Sequence, residues 1–280
     1  MVSDGQTKMN GFETFGREHL LWLMMLAAAG AAVVFADNRA ETGNAESGRT
    51  EIRKGKNRWA EIRRMAAAVS AVSGRVLPGF YYIATGSYGL DSLPLHVCSM
   101  AGYGCFLHFL LTTGKDRNRR TGLEPQKEPG HKPASALQTA LSELLFFPGL
   151  PGALLALLFP GWGACPPFSF LSCCEFLGHG GIGLYVILRM RDGGIRPSFR
   201  RMWIPVLFCA AYAAIMIPFD RITETNYGFL LLPAPGSPLS VIAFAAGLGP
   251  GYYTGYALLV LFLMVVFYAG AAVFKNRRLH

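Results

Sequence analysis

The sequence predicts an all-α protein: one transmembrane domain spanning residues 1–280, a bundle of seven helices with the N-terminus outside and the C-terminus cytoplasmic. Three observations predict it. The chain is 52% hydrophobic and only 15% charged, whereas a soluble domain carries about 25% charged residues. Its charges are bunched between apolar runs of about 17 to 25 residues, the length that crosses a hydrocarbon core. Backbone groups in lipid must pair within their own segment, so such runs are helices. With seven spans, one side of the membrane receives 22 of the 26 Lys and Arg residues and the other receives 3, Arg75 lying inside a span. Loops rich in Lys and Arg face the cytoplasm.

The first expected span is Leu20–Ala36. Val34-Phe35-Ala36 resembles a signal-peptide cleavage site, but Glu13 and Glu18 stand where such a peptide is basic. Cleavage there would also place the most basic loop outside. The second, Met65–Tyr88, is interrupted by Arg75 and Pro78. The third, Leu93–Thr113, has Asp91 or Ser92 to cap its start and Pro94 for its first turn. The fourth, Leu137–Phe159, holds Pro148 and Pro151, which should bend it and free backbone carbonyls. The fifth and sixth are Pro167–Leu188 and Met202–Phe219. The seventh, Tyr252–Phe274, begins with Tyr252, Tyr253 and Tyr256, expected at headgroup level. Thr121–Pro133 reads as a flexible cytoplasmic loop. The 220–251 loop is apolar but broken by Pro and Gly, an interfacial segment able to cap an outward cavity.

The net charge of +9 follows from basic loops near anionic headgroups, so membrane phospholipids are the expected partners and nucleic acid is not. Ionisable residues inside spans are costly and usually face the bundle interior. Here they are Arg75, His96, His108, Glu143, Glu175 and His179, enough to suggest a polar cavity. Glu143 is expected to pair with Arg75. Glu175 and His179 share a helical face at i, i+4, beside glycines that admit a close approach. No third metal ligand joins them and no Gly-rich phosphate loop occurs, so no metal or cofactor is expected. His96 and Cys98 should point about 200° apart on one helix.

A cysteine and a histidine can form a nucleophile pair, the imidazole taking the thiol proton. Cys98 should lie about 7 Å and His179 about 18 Å from the outer ends of their helices. Stagger or tilt must absorb the difference. The same polar groups are also compatible with a small-ligand transporter, a receptor-like binder or a structural subunit.

Five stretches, in order, carry a resemblance: FETFGREHL, LPLHVCSMAGY, SELLFFPGLPGALLALLFP, FSFLSCCEFLGHGGI and TETNYGFLLLPAPGSPLSVIAFAAGLGPGYY. With them the chain resembles the family that joins bacterial YwaF-type integral membrane proteins to eukaryotic transmembrane protein 164. It departs at Gly249-Pro250-Gly251-Tyr252-Tyr253, where that family has a tryptophan-rich ending, and at Pro148, where it has Phe-Trp-Gly-Leu. The resemblance implies a cysteine-dependent lipid acyltransferase or acyl hydrolase. Cys98 would be the nucleophile, His179 its base and Glu175 the residue orienting the imidazole. His96, Glu143, Asn226 and Tyr227 are the expected substrate contacts, and the cell membrane is the expected location.

Overall fold

A computed structural model describes residues 13–35, 49–120 and 135–276. The expected flexible loop Thr121–Pro133 lies outside them. Among the described residues the ordered elements are helices: α1 (Arg17–Phe35), α2 (Arg49–Ala84), α3 (Val97–Arg120), α4 (Ala136–Leu144), α5 (Leu150–Leu158), α6 (Phe170–Arg191), α7 (Trp203–Thr223), α8 (Pro238–Ala246) and α9 (Pro250–Asn276). Among the described residues five segments are long and apolar enough to cross a membrane: α1, Ala136–Leu158 through α4 and α5, α6, Phe199–Thr223 and Pro250–Val273. The other two expected spans correspond to α2 and α3. α2 starts at Arg49, within residues expected to form a loop, so one 36-residue helix joins a basic first part to an apolar second part. It runs on through Arg75 and Pro78, which the sequence suggested would interrupt it. The apolar stretch of α3 is the shorter Val97–Thr113.

The core is the packing of α2 against α6, with α3 and the α4–α5 segment around it. Small residues make this possible. Gly74 on α2 meets Gly178 on α6 so closely that an added methyl would come within 2.4 Å of the Gly178 Cα and 2.5 Å of the Cys174 carbonyl. Ala67 and Ala71 lie against Gly181 in the same way. Without a hydrophobic drive between helices in lipid, such stripes let backbones approach and gain dispersion contact. Gly102 of α3 gives the third close approach, against the Ala71 carbonyl and the Arg75 Cγ.

In the fourth expected span the chain bends at Pro148, as the sequence suggested. Between α4 and α5 the chain makes a wide turn at Leu145–Gly149, in which Phe147 is extended (φ −146°, ψ 125°) and the Phe147–Pro148 peptide is cis. Phe146 and Phe147 are buried there against the ring of Phe267, and Phe146 also meets Tyr268, both from α9. Peripheral helices are fastened by polar clamps. His19 of α1 accepts from the Phe15 N–H (2.8 Å) through Nδ1 and donates through Nε2 to the Leu157 carbonyl (2.7 Å). Trp22 donates to the Pro167 carbonyl. Large side chains on α7, α8 and α9 face outward, among them Ile222, Phe244 and Phe262, as lipid-facing surface requires.

Candidate active site

α3 begins later than the sequence implied. Leu90–Ser92 forms a separate single turn and the chain is extended at Leu93, so neither Asp91 nor Ser92 caps the long helix. His96 stands immediately before α3, its carbonyl accepting from Ser99 and Met100. His96 and Cys98 are therefore not residues on opposite faces of one helix. Cys98 occupies the first turn of the helix. One turn further on the same face is Gly102, which touches the Arg75 side chain. That register aims Cys98 at α2, and the Arg75 guanidinium and the Glu175 carboxylate both act on its thiol electrostatically.

Arg75 is the hub. Its Nη2 donates to Glu175 Oε2 at 2.7 Å and lies 3.4 Å from His179 Nδ1. The expected Arg75–Glu143 pair does not form. Glu143, fully buried, instead accepts from Arg201 Nε (2.5 Å) and from the Tyr268 hydroxyl (2.6 Å). The physical reason is level in the bundle. Ser142, beside Glu143, is bonded to His108, ten residues along α3 from Cys98, which places Glu143 about 15 Å further down the helix axis at 1.5 Å per residue.

His179 is almost completely buried. Its Nδ1 lies 2.8 Å from the Glu175 carbonyl oxygen, one turn earlier in α6. A carbonyl only accepts, so Nδ1 carries the proton and donates, and the longer contact from Arg75 is electrostatic rather than a hydrogen bond. Nε2 is then the basic nitrogen; it is buried and has no hydrogen-bond partner. The Glu175 main-chain carbonyl holds the imidazole, while its carboxylate holds Arg75.

A residue that sequence reasoning passed over completes the site. Trp162, in the turn between α5 and α6, stacks on the His179 ring with centroids 5.0 Å apart and planes at 12°. Its Nε1–H is buried without a partner, as is Arg75 Nε–H. The only signal was its setting, a tryptophan between two glycines in Pro160-Gly161-Trp162-Gly163. Cys165 lies in the same turn, where burial and the nearby Glu175 push its thiol above the usual range.

The expected substrate contacts divide. His96 borders the site, accepting the Gly228 N–H at Nδ1 (3.3 Å) and packing edge-on to Tyr227. Tyr227 is buried and donates to the Leu90 carbonyl. Asn226 ties up its own loop, its amide donating to the Leu232 carbonyl and accepting from Leu231 and Leu232. The hydroxyls of Tyr252 and Tyr256 hold that loop through the Phe229 and Gly228 carbonyls. Tyr252 is itself buried in the protein. Phe229 in turn touches Gly161, so the two turns meet over the histidines.

His108 belongs elsewhere. Ser142 donates to the Gln138 carbonyl, so it accepts from His108 Nε2, and His108 Nδ1 accepts from the Tyr185 hydroxyl. Every polar atom of that imidazole is satisfied, which makes it a packing element.

No curated protein and no solved structure matches the chain. The TMEM164 family model matches residues 14–268, from just before α1 far into α9. Nearly the whole chain is covered, and the protein belongs to the TMEM164 family.

Proposed function

We propose that this protein is a seven-pass enzyme of the cell membrane, N-terminus outside, that transfers or hydrolyses lipid acyl chains through a cysteine thioester. One observation carries the reading: a buried imidazole whose Nδ1–H is fixed by a carbonyl and whose Nε2 lone pair faces no partner. Such a nitrogen is in the tautomer a general base needs. The Cys98 proton moves to His179 Nε2 as the sulfur bonds to the carbonyl carbon of a phospholipid ester. The tetrahedral adduct collapses by breaking the carbon–oxygen bond, and His179 returns the proton to the departing lysolipid oxygen. The thioester then passes its acyl chain to an acceptor hydroxyl, or to water, by the same steps reversed. Arg75 would meet the sulfur's negative charge, and Glu175 keeps that guanidinium in place.

The test uses purified protein in lipid nanodiscs with an acyl-labelled phospholipid and an unlabelled lysolipid. Wild type should move label to the lysolipid and carry a hydroxylamine-labile acyl group. Cys98→Ala and His179→Ala should each lower the rate by at least about 1,000-fold, as loss of a nucleophile or its base does. Full transfer by Cys98→Ala would end the proposal.

A further inference from the structure

We infer that Arg75 Nε–H and Trp162 Nε1–H are the two donors that receive the acyl oxygen as it becomes an oxyanion. The inference rests on the thioester reading above and adds the groups that select a carboxylic ester or thioester as substrate. Both N–H groups are buried and both lack an acceptor. Buried donors in native folds nearly always have partners, so two orphans beside one imidazole call for one. Each is held rigidly. Arg75 is pinned by Glu175 at 2.7 Å, and Trp162 by its stack on His179. Gly178 makes room for the guanidinium, since a methyl there would come within 2.9 Å of Nη2 and 3.4 Å of Nε.

Fixed donors in a dry site are the arrangement that lowers the energy of a tetrahedral adduct without reorganisation. When the sulfur bonds to the carbonyl carbon, the π electrons move to oxygen. The new charge is met by a guanidinium N–H on one side and an indole N–H on the other. A single developing negative charge suits this pair. A phosphoryl group, already anionic, would face the Glu175 carboxylate at the same point.

The experiment compares Trp162→Phe with wild type in the nanodisc transfer assay, because phenylalanine keeps a ring over His179 and removes only the donor. The kcat should fall about 100-fold, the scale of losing one oxyanion donor, with KM nearly unchanged. Alkylation of Cys98 by iodoacetamide should proceed at the wild-type rate, since that displacement forms no oxyanion. A second measurement needs no variant. Wild type offered a phospholipid with a thiocarbonyl in place of the ester carbonyl should turn over about 100-fold more slowly, sulfur being a poor acceptor. An unchanged kcat in Trp162→Phe, or equal turnover of the thiocarbonyl lipid, while Cys98→Ala is inactive, overturns this assignment alone. Activity in Cys98→Ala would instead overturn the thioester reading beneath it.

Discussion

At the scale of single residues, the chemistry depends on where each proton is held. Glu175 serves two masters through different atoms: its carbonyl fixes the His179 tautomer, and its carboxylate neutralises Arg75. This separates a structural from an electrostatic role and allows a test. Arg75→Met leaves a partly buried carboxylate unpaired and should cost about 3 kcal/mol of stability, the low end for a broken buried pair because Glu175 keeps some solvent contact. Adding Glu175→Leu should restore most of that stability, while acyl transfer stays lost in both variants because no cation faces the sulfur. Thermal unfolding in detergent alongside the transfer assay reads both effects; recovery of activity in the double variant would show that Arg75 has no part in the reaction.

At the scale of elements, the site exists because α2 and α6 approach almost backbone to backbone. Arg75 follows Gly74, and His179 follows Gly178, so the closest point of the crossing delivers both side chains of the candidate site. Gly74→Ala should force the helices apart at the Gly178 Cα and the Cys174 carbonyl, costing about 1–3 kcal/mol as overpacking does and weakening the Arg75–Glu175 bond. Gly79→Ala, in the same helix with nothing within 4 Å of the new methyl, should be neutral or stabilise by up to about 1 kcal/mol through helix propensity. Melting temperatures of the two variants check this, and equal losses would mean that the crossing is not what positions the site. The crossing was partly legible in the sequence. Ala67, Ala71 and Gly74 form a small-residue stripe on one helix, and Cys174, Gly178 and Gly181 form another, a pairing signal that outweighs the charge logic linking Arg75 to Glu143. Individual charges carry no record of depth. Arg75 was therefore expected to pair with Glu143, whereas the α2–α6 crossing sets it beside Glu175.

At the scale of the whole molecule, apolar runs identified the helices well, because length and composition dictate a spanning helix almost alone. They located α3 less well, since Leu93-Pro94-Leu95 is as apolar as a helix yet forms a bend and turn that place His96 ahead of the first helical turn. The start of α2 was missed for the opposite reason: residues 49–64 are too basic to read as part of a span, yet helix persists through them in continuity with the packed half. That extension bears on orientation. Its Arg64 pairs with Asp192, just past the end of α6, at 3.2 Å, tying together two of the basic segments assigned to the cytoplasmic side. The end of α3 and the start of α4 lie at the same level, with Gln138 bonded to the Leu111 carbonyl. All four chain segments thus gather at one end of the bundle, the end opposite Cys98. A fluorescent protein that matures only in the cytoplasm should therefore glow when fused to the C-terminus, and alkaline phosphatase fused to the N-terminus should be active. Seven crossings require the two ends to lie on opposite sides, so finding both reporters on one side would remove a span, and with it the outward-facing placement of the Cys98 and His179 end.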